Sequence, residues 1–247
     1  MYRRPIFLVT GGSRGIGAAI AQQAARHYPV AILYRSNSDE AARVVASIER
    51  EGGVCTAIQC DVGDEMALMD AFEQLDLLGR VGVLVNNAAI TGGLSRVRDV
   101  SAQALSEVLR VNVQGAFLAA REAVRRMSTA AGGEGGVIIN VSSGASVLGS
   151  PNHWVHYAAS KGAIDTMTIG LSKEVAAEGI RVNAVRPGLV DTDIQAGRSP
   201  QELARMMAAI PLGRMASADE IANAVLWLAS PAAAYVTGAL LDVRGGF

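Results

Sequence analysis

The chain has 247 residues and only two cysteines, Cys55 and Cys60. They stand five positions apart in what reads as a strand, or about 16 Å at ~3.3 Å per residue. That is too far for an intrachain disulfide. Their spacing fits no metal site, and no metal is expected. They read as two small buried apolar side chains in a reducing compartment. An excess of charge is also missing: 22 Lys and Arg face 23 Asp and Glu, for a formal net charge of −1. That balance asks for neither nucleic acid nor an anionic membrane as partner. No apolar run approaches the ~18 residues of a membrane span. Arg3 and Arg4 precede an apolar stretch, but it covers only residues 6–9 before Thr10-Gly11-Gly12. An export signal needs about 7–15 such residues, so the expected setting is the cytoplasm. Disorder is excluded, because half the residues are apolar and the net charge is tiny. The length suffices to bury a core without staples.

What is present is an alternation of short apolar runs and longer helical stretches. Strands are expected over residues 6–9, 30–34, 54–59, 81–85, 137–141, 180–185 and 239–243. Helices are expected over 15–27, 39–51, 65–78, 101–127, 153–178, 202–207 and 218–228. Such alternation implies an α/β fold: a doubly wound, mostly parallel sheet of about seven strands with helices on both faces. Without linker composition or internal repeats, residues 1–247 read as a single domain. Residues 189–215, with Gly197, Pro200, Pro211 and Gly213, break the rhythm and read as a substrate lid.

Between the first strand and first helix lies Thr10-Gly11-Gly12-Ser13-Arg14-Gly15-Ile16-Gly17. Glycines there permit a tight turn and close approach to a pyrophosphate. The helix start adds free N–H groups and partial positive charge. The spacing of Gly11, Gly15 and Gly17 resembles the short-chain dehydrogenase/reductase family.

Tyr157 and Lys161 are four residues apart, hence on one helical face. An ammonium beside a phenol favours the phenolate, so the pair reads as a proton donor/acceptor or, alone, as ordinary helix surface. Around it stand Asn86-Asn87-Ala88-Ala89, Asn112, Ser142-Ser143 and Pro187-Gly188-Leu189-Val190-Asp191-Thr192. Together, and in order, these motifs resemble the classical branch of the short-chain dehydrogenases/reductases over nearly the whole chain. The resemblance implies a Rossmann fold and a hydride-transferring oxidoreductase. It makes Tyr157 the general acid/base and has Lys161 hold the nicotinamide ribose and lower the Tyr157 pKa. Ser143 would position the carbonyl, with Ser142 its rival, and Asn112 would anchor a relay water. Asp61 and Val62 would meet the adenine, and Asn87, Ala88 and Ala89 the adenosine ribose. Pro187, Gly188, Val190 and Thr192 would approach the carboxamide and diphosphate. Two positions depart from the family. Ala89 replaces a glycine, and its methyl could crowd the nucleotide or demand negative φ. Arg244 replaces an acid before Gly245-Gly246, which should alter a subunit contact.

NAD-preferring relatives place an acid after the second strand. This chain has Tyr34 there, followed by Arg35. Arg35 and Arg14 can converge on a 2′-phosphate, so NADP(H) is expected as preferred cofactor, with NAD(H) possible. The substrate is expected to be a small-molecule carbonyl or alcohol. A carrier-protein substrate would need a basic patch, for which Arg121, Arg125 and Arg126 are the candidates. Other readings are an NAD-dependent sugar or alcohol dehydrogenase and a catalytically silent nucleotide sensor. Trp154 reads as pocket lining or as core. His153 and His156 read as helix-entry residues. A stripe of Ala158, Gly162, Thr166 and Gly170 points to a homodimer or homotetramer built on that helix.

Overall fold

The computed structural model describes residues 4–193 and 199–247. The expected Arg3 and the lid residue Gly197 lie outside the described residues. The strands are β1 (Ile6–Thr10), β2 (Val30–Tyr34), β3 (Cys55–Gln59), β4 (Val81–Asn86), β5 (Gly136–Val141), β6 (Ile180–Pro187) and β7 (Leu240–Val243). They form one parallel seven-stranded sheet in the order β3-β2-β1-β4-β5-β6-β7. The order reverses between β1 and β4, and ligands of open α/β sheets bind in the crevice at such a point.

Alternation along β1 shows how the sheet is covered. Ile6 and Leu8 join one core with α3 (Glu65–Leu78), α5 (Gly115–Met127) and α7 (Val155–Val175). Phe7 and Val9 join the other with α1 (Gly15–Ala24), α2 (Ser38–Arg50) and α9 (Ala218–Ala229). Both faces of the central strands are therefore buried, and β1, β2 and β4 read as nearly continuous apolar runs. Among the described residues no helix is long and apolar enough to cross a membrane. Cys55 and Cys60 are buried free thiols, pushed up to about 12 chiefly by burial.

Two expected helices differ in detail. The stretch 101–127 is interrupted: α4 (Ala102–Leu109) passes through a π turn at Arg110–Gln114 into α5. The cause is tertiary, since a Cβ on Gly115 would stand 2.9 Å from the Val62 carbonyl oxygen and Asn112 is tied to Ile90. The helix expected from 153 starts at Val155, because Trp154 is still non-helical. Before it, a short helix α6 (Ala145–Leu148) gives way to left-handed Gly149, Ser150 and Asn152. In the expected lid, Asp191 and Ala216 are joined by a backbone bond. α8 (Pro200–Ala208) there is capped by a Ser199–Glu202 box. Leu203, Met206 and Met207 are half-buried, and Ile210 is buried.

Candidate active site

Thr10 closes β1, and its hydroxyl accepts bonds from the N–H groups of Asn87 (2.9 Å) and Ala88 (3.0 Å). Asn87 Nδ2 donates in return to Thr10 O at 2.9 Å and Gly11 O at 3.0 Å. The glycine-rich turn is thereby laced to the end of β4. Gly11 has φ +63°, and a Cβ there would stand 2.9 Å from Ala88 Cα. A Cβ on Gly17 would stand 2.3 Å from Gly11 O. α1 starts at Arg14 without a side-chain cap, leaving its N-terminus suited to an anion.

The turn borders a cleft of about 760 Å³. Gly11, Ser13, Arg14, Gly15, Ile16 and Gly17 line it from the turn. Arg35, Asp61, Val62, Asn87, Ala88 and Ala89 line it from the ends of β2, β3 and β4. Of the other expected residues, Tyr157, Lys161 and Thr192 also line it, whereas Asn112 and Ser143 do not. Ala89 keeps negative φ, so its methyl strains nothing. Pro187, Gly188 and Val190 are not among the lining residues. Pro187 ends β6, Gly188 bonds Val243, and Val190 is buried against the bridge to Ala216. Leu33, Cys60, Ile90 and Val111 also line the cleft, and only their adjacency to the motifs signalled them.

Arginines and carboxylates alternate at the end near β2. Tyr34 is half-buried, and Arg35, Ser36 and Asn37 are exposed. Arg35 lies 3.6 Å from Glu107 and Arg14 lies 3.9 Å from Asp193, both loose and exposed pairs. Asp61 accepts from Arg110 at 2.9 Å and from the Gly63 N–H at 2.9 Å. Burial pushes its carboxyl up, but these bonds prevail and hold it below the usual range. Among the described residues no His, Cys, Asp and Glu cluster could hold a metal ion.

α7 carries the titrating pair. Tyr157 is 8% exposed and Lys161 3%. The Trp154 ring meets Tyr157 edge-on at 6.1 Å, so Trp154 packs on the phenol. Burial raises the Tyr157 pKa, while a hydrogen bond with Ser143 pulls it down. The resemblance had Lys161 lower this phenol; here its Nζ instead lies 5.7 Å from the ring centroid and donates to Val141 O at 2.7 Å. Burial brings Lys161 down to about 8, opposed by the charge of Asp165.

The two serines separate cleanly. Ser142 is buried and donates to Lys161 O at 3.2 Å, a packed strand-end hydroxyl. Ser143 is half-buried and accepts from the Ala145 N–H. Asn112 Nδ2 donates to Ile90 O at 2.9 Å and Ser160 Oγ at 3.0 Å, and its Oδ1 accepts from Ile90 N at 2.8 Å. Both amide protons are used inside the protein, so Asn112 pins the loop after β4 to the helix of Tyr157. His156 is buried and bonds Thr91 O at 2.8 Å; His153 bonds Pro151 O.

Comparison with known proteins agrees with this geometry. The family model described as enoyl-(acyl carrier protein) reductase matches residues 11–247. The uncharacterised oxidoreductase YgfF of Escherichia coli is 48% identical over 98% of this chain and 99% of its own. The 3-oxoacyl-[acyl-carrier-protein] reductase FabG of Aquifex aeolicus is 35% identical, covering 98% and 96%. A solved short-chain dehydrogenase/reductase from Serratia marcescens superposes with a TM-score of 0.91 at 34% identity, covering 98% and 97%. The chain belongs to the short-chain dehydrogenase/reductase family. It is an NAD(P)-dependent oxidoreductase of that family. A relative from Burkholderia cenocepacia, solved with NADP, superposes with a TM-score of 0.90 at 33% identity over 98% of this chain and 97% of its own. The cradle observed here fits a dinucleotide: an uncapped helix start and tight glycines beside the cleft. Thr10 is the site residue whose part the sequence reading missed. Its only signal was a hydroxyl at the strand end before the turn.

Proposed function

We propose that this dehydrogenase/reductase interconverts a small-molecule carbonyl and its secondary alcohol with NADP(H), Tyr157 acting as general acid/base. The carrying observation is Tyr157 and Lys161, both buried on one face of α7 and both lining the cleft that the glycine-rich turn borders. The dinucleotide supplies or accepts the hydride. The Tyr157 phenol, protonated at neutral pH because burial raises its pKa, gives its proton to the carbonyl oxygen. Ser143 holds that oxygen, and the Lys161 ammonium orients the sugar beside it. The described parts of the expected lid, residues 189–193 and 199–215, would stand over the substrate. The two buried thiols, unpaired, support a cytoplasmic setting.

A free small molecule is favoured over a carrier protein. Arg121, Arg125 and Arg126 are already paired with Glu65, Glu122 and Asp76, so they offer little charge for docking. NADPH oxidation across ketones, β-ketoesters and sugars tests the reading. A silent sensor would bind NADPH in titrations and oxidise none of it.

The loose arginines carry the cofactor preference. Arg35→Asp is expected to weaken NADPH by at least ~10-fold relative to NADH, since the acid repels a 2′-phosphate and accepts from a 2′-hydroxyl. Fluorescence titration of both cofactors measures the ratio; an unchanged ratio removes Arg35 from the site.

The same helix supports a homodimer, with a tetramer as its extension. Ala159, Thr166, Ile169 and Gly170 of α7 are exposed, and a Cβ on Gly162 or Gly170 would meet nothing within 4 Å. Phe117 of α5 is 51% exposed. Ala158, expected in this stripe, is instead buried in its own chain. Arg244, expected at a subunit contact, turns inward: it packs near Gly144 and Gly188 and pairs with Asp242 at 2.9 Å. Thr166→Arg places a charge twice in an isologous contact. The expected result in light scattering is dissociation or aggregation with loss of activity. A monomeric wild type at micromolar concentration refutes the assembly.

A further inference from the structure

Lys161 is a buried ammonium whose hydrogen bond goes to a neutral carbonyl, Val141 O. Isolated buried charge is costly unless another charge compensates it. One turn further along α7, on the same side of the helix, stands Asp165, itself 8% exposed. Its Oδ1 is buried without a hydrogen-bond partner. Its Oδ2 lies 3.7 Å from Arg186 Nη1, beyond hydrogen-bonding range. Arg186 is drawn the other way, to Asp242, with contacts of 2.8 and 3.0 Å. Asp242 is shared in turn with Arg244. A row of alternating charges thus runs from α7 across β6 and β7, and its acidic end is incompletely neutralised.

We propose that Asp165 is a positioning residue for Lys161. Its carboxylate is the counter-charge that keeps the buried ammonium protonated, and Arg186 limits how much of that charge Lys161 feels. The part this plays in turnover rests on the reading of Tyr157 and Lys161 given above. Burial depresses Lys161, and Asp165 is the charge that opposes the depression. The charged and titratable groups around the pair are Tyr157 on α7, Arg186 from β6, and Asp242 and Arg244 reached through Arg186. β5 presents the neutral Val141 and Ser142.

The chain contains only two lysines, Lys161 and Lys173. Protein labelled with ¹³C at lysine Cε therefore gives two signals, assigned by Lys173→Arg, and the Lys161 titration is read directly without substrate. Asp165→Asn is expected to lower its midpoint by about one pH unit. Arg186→Gln is expected to raise it, since Asp165 loses its competing cation while Asp242 keeps Arg244. Opposite signs from two neighbouring substitutions are not produced by a merely structural role, which would lower thermal stability and leave the midpoint in place. Unmoved midpoints, or both moving the same way, overturn the proposal. If Asp165→Asn does not fold, Arg186→Gln decides: an unmoved or lowered midpoint overturns it. Full activity in Tyr157→Phe would remove the assigned chemistry yet leave the lysine shifts standing. Unmoved lysine midpoints beside an inactive Tyr157→Phe would remove Asp165 alone.

Discussion

Replacing Tyr157 with phenylalanine is expected to lower turnover by roughly 10²–10⁴ while NADPH binding and the melting temperature stay close to wild type. The substitution deletes one hydroxyl and keeps the ring. The edge-on contact with Trp154 at 6.1 Å and the packing of the buried side chain are therefore retained. What goes is the proton that must reach the substrate oxygen as hydride arrives. Because burial raises the phenol, wild-type reduction should hold through neutral pH and fade at high pH. Alcohol oxidation, which needs the phenolate, should rise with pH. Steady-state kinetics in both directions, with a parallel fluorescence titration of NADPH, check all of this. Normal turnover by the Phe variant with every active substrate overturns the assigned chemistry.

The second large effect couples activity to stability with opposite signs. Lys161→Met should abolish activity at least as fully as Tyr157→Phe and weaken cofactor binding, yet make the protein more stable. Burial depresses Lys161 from 10.5 to about 8. Below pH 8 both folded and unfolded chains hold the proton, so folding bears the whole penalty, about 3 kcal/mol. As pH climbs from 8 toward 10.5 the folded lysine has lost its proton, and the penalty fades. The variant also loses the bond to Val141 O, worth about 1 kcal/mol. The net gain near pH 7 is then about 2 kcal/mol, or a melting temperature higher by ~4–8 °C. That gain should shrink steadily above pH 8. A variant less stable than wild type at pH 7 would show that the ammonium is better compensated than its surroundings indicate. Stabilisation by removing a strained functional group is a recurring trade in enzymes.

Much of this molecule follows from local signals. Run-like apolar patterning placed the seven strands, because parallel strands covered on both faces read as nearly continuous apolar runs. The glycine-rich turn and the Tyr157–Lys161 spacing located two walls of the cleft, since tight turns and helical faces are set over a few residues. Burial distinguishes Ser142 from Ser143, as the buried Ser142 hydroxyl donates to the backbone carbonyl of Lys161. The helix ends were less legible. The break at Arg110–Gln114 depends on Val62 and Ile90, which lie far away in sequence.

By itself, then, the sequence determined the α/β class, the strand–helix order, the glycine-rich turn and the placing of Tyr157 and Lys161 on one helical face, all consequences of short-range geometry and repeated polarity. Only the tertiary structure decided what each side chain does there. It gave Thr10 the task of lacing β1 to β4 and used both amide protons of Asn112 inside the protein. It withdrew Pro187, Gly188 and Val190 from the cleft lining and turned Arg244 into its own chain. It also buried Asp165 with Arg186 3.7 Å away as its cation. The bonds of Thr10 and Asn112 join residues tens of positions apart, so they depend on which strands become neighbours, and neighbouring strands here are joined by crossovers that local periodicity does not encode.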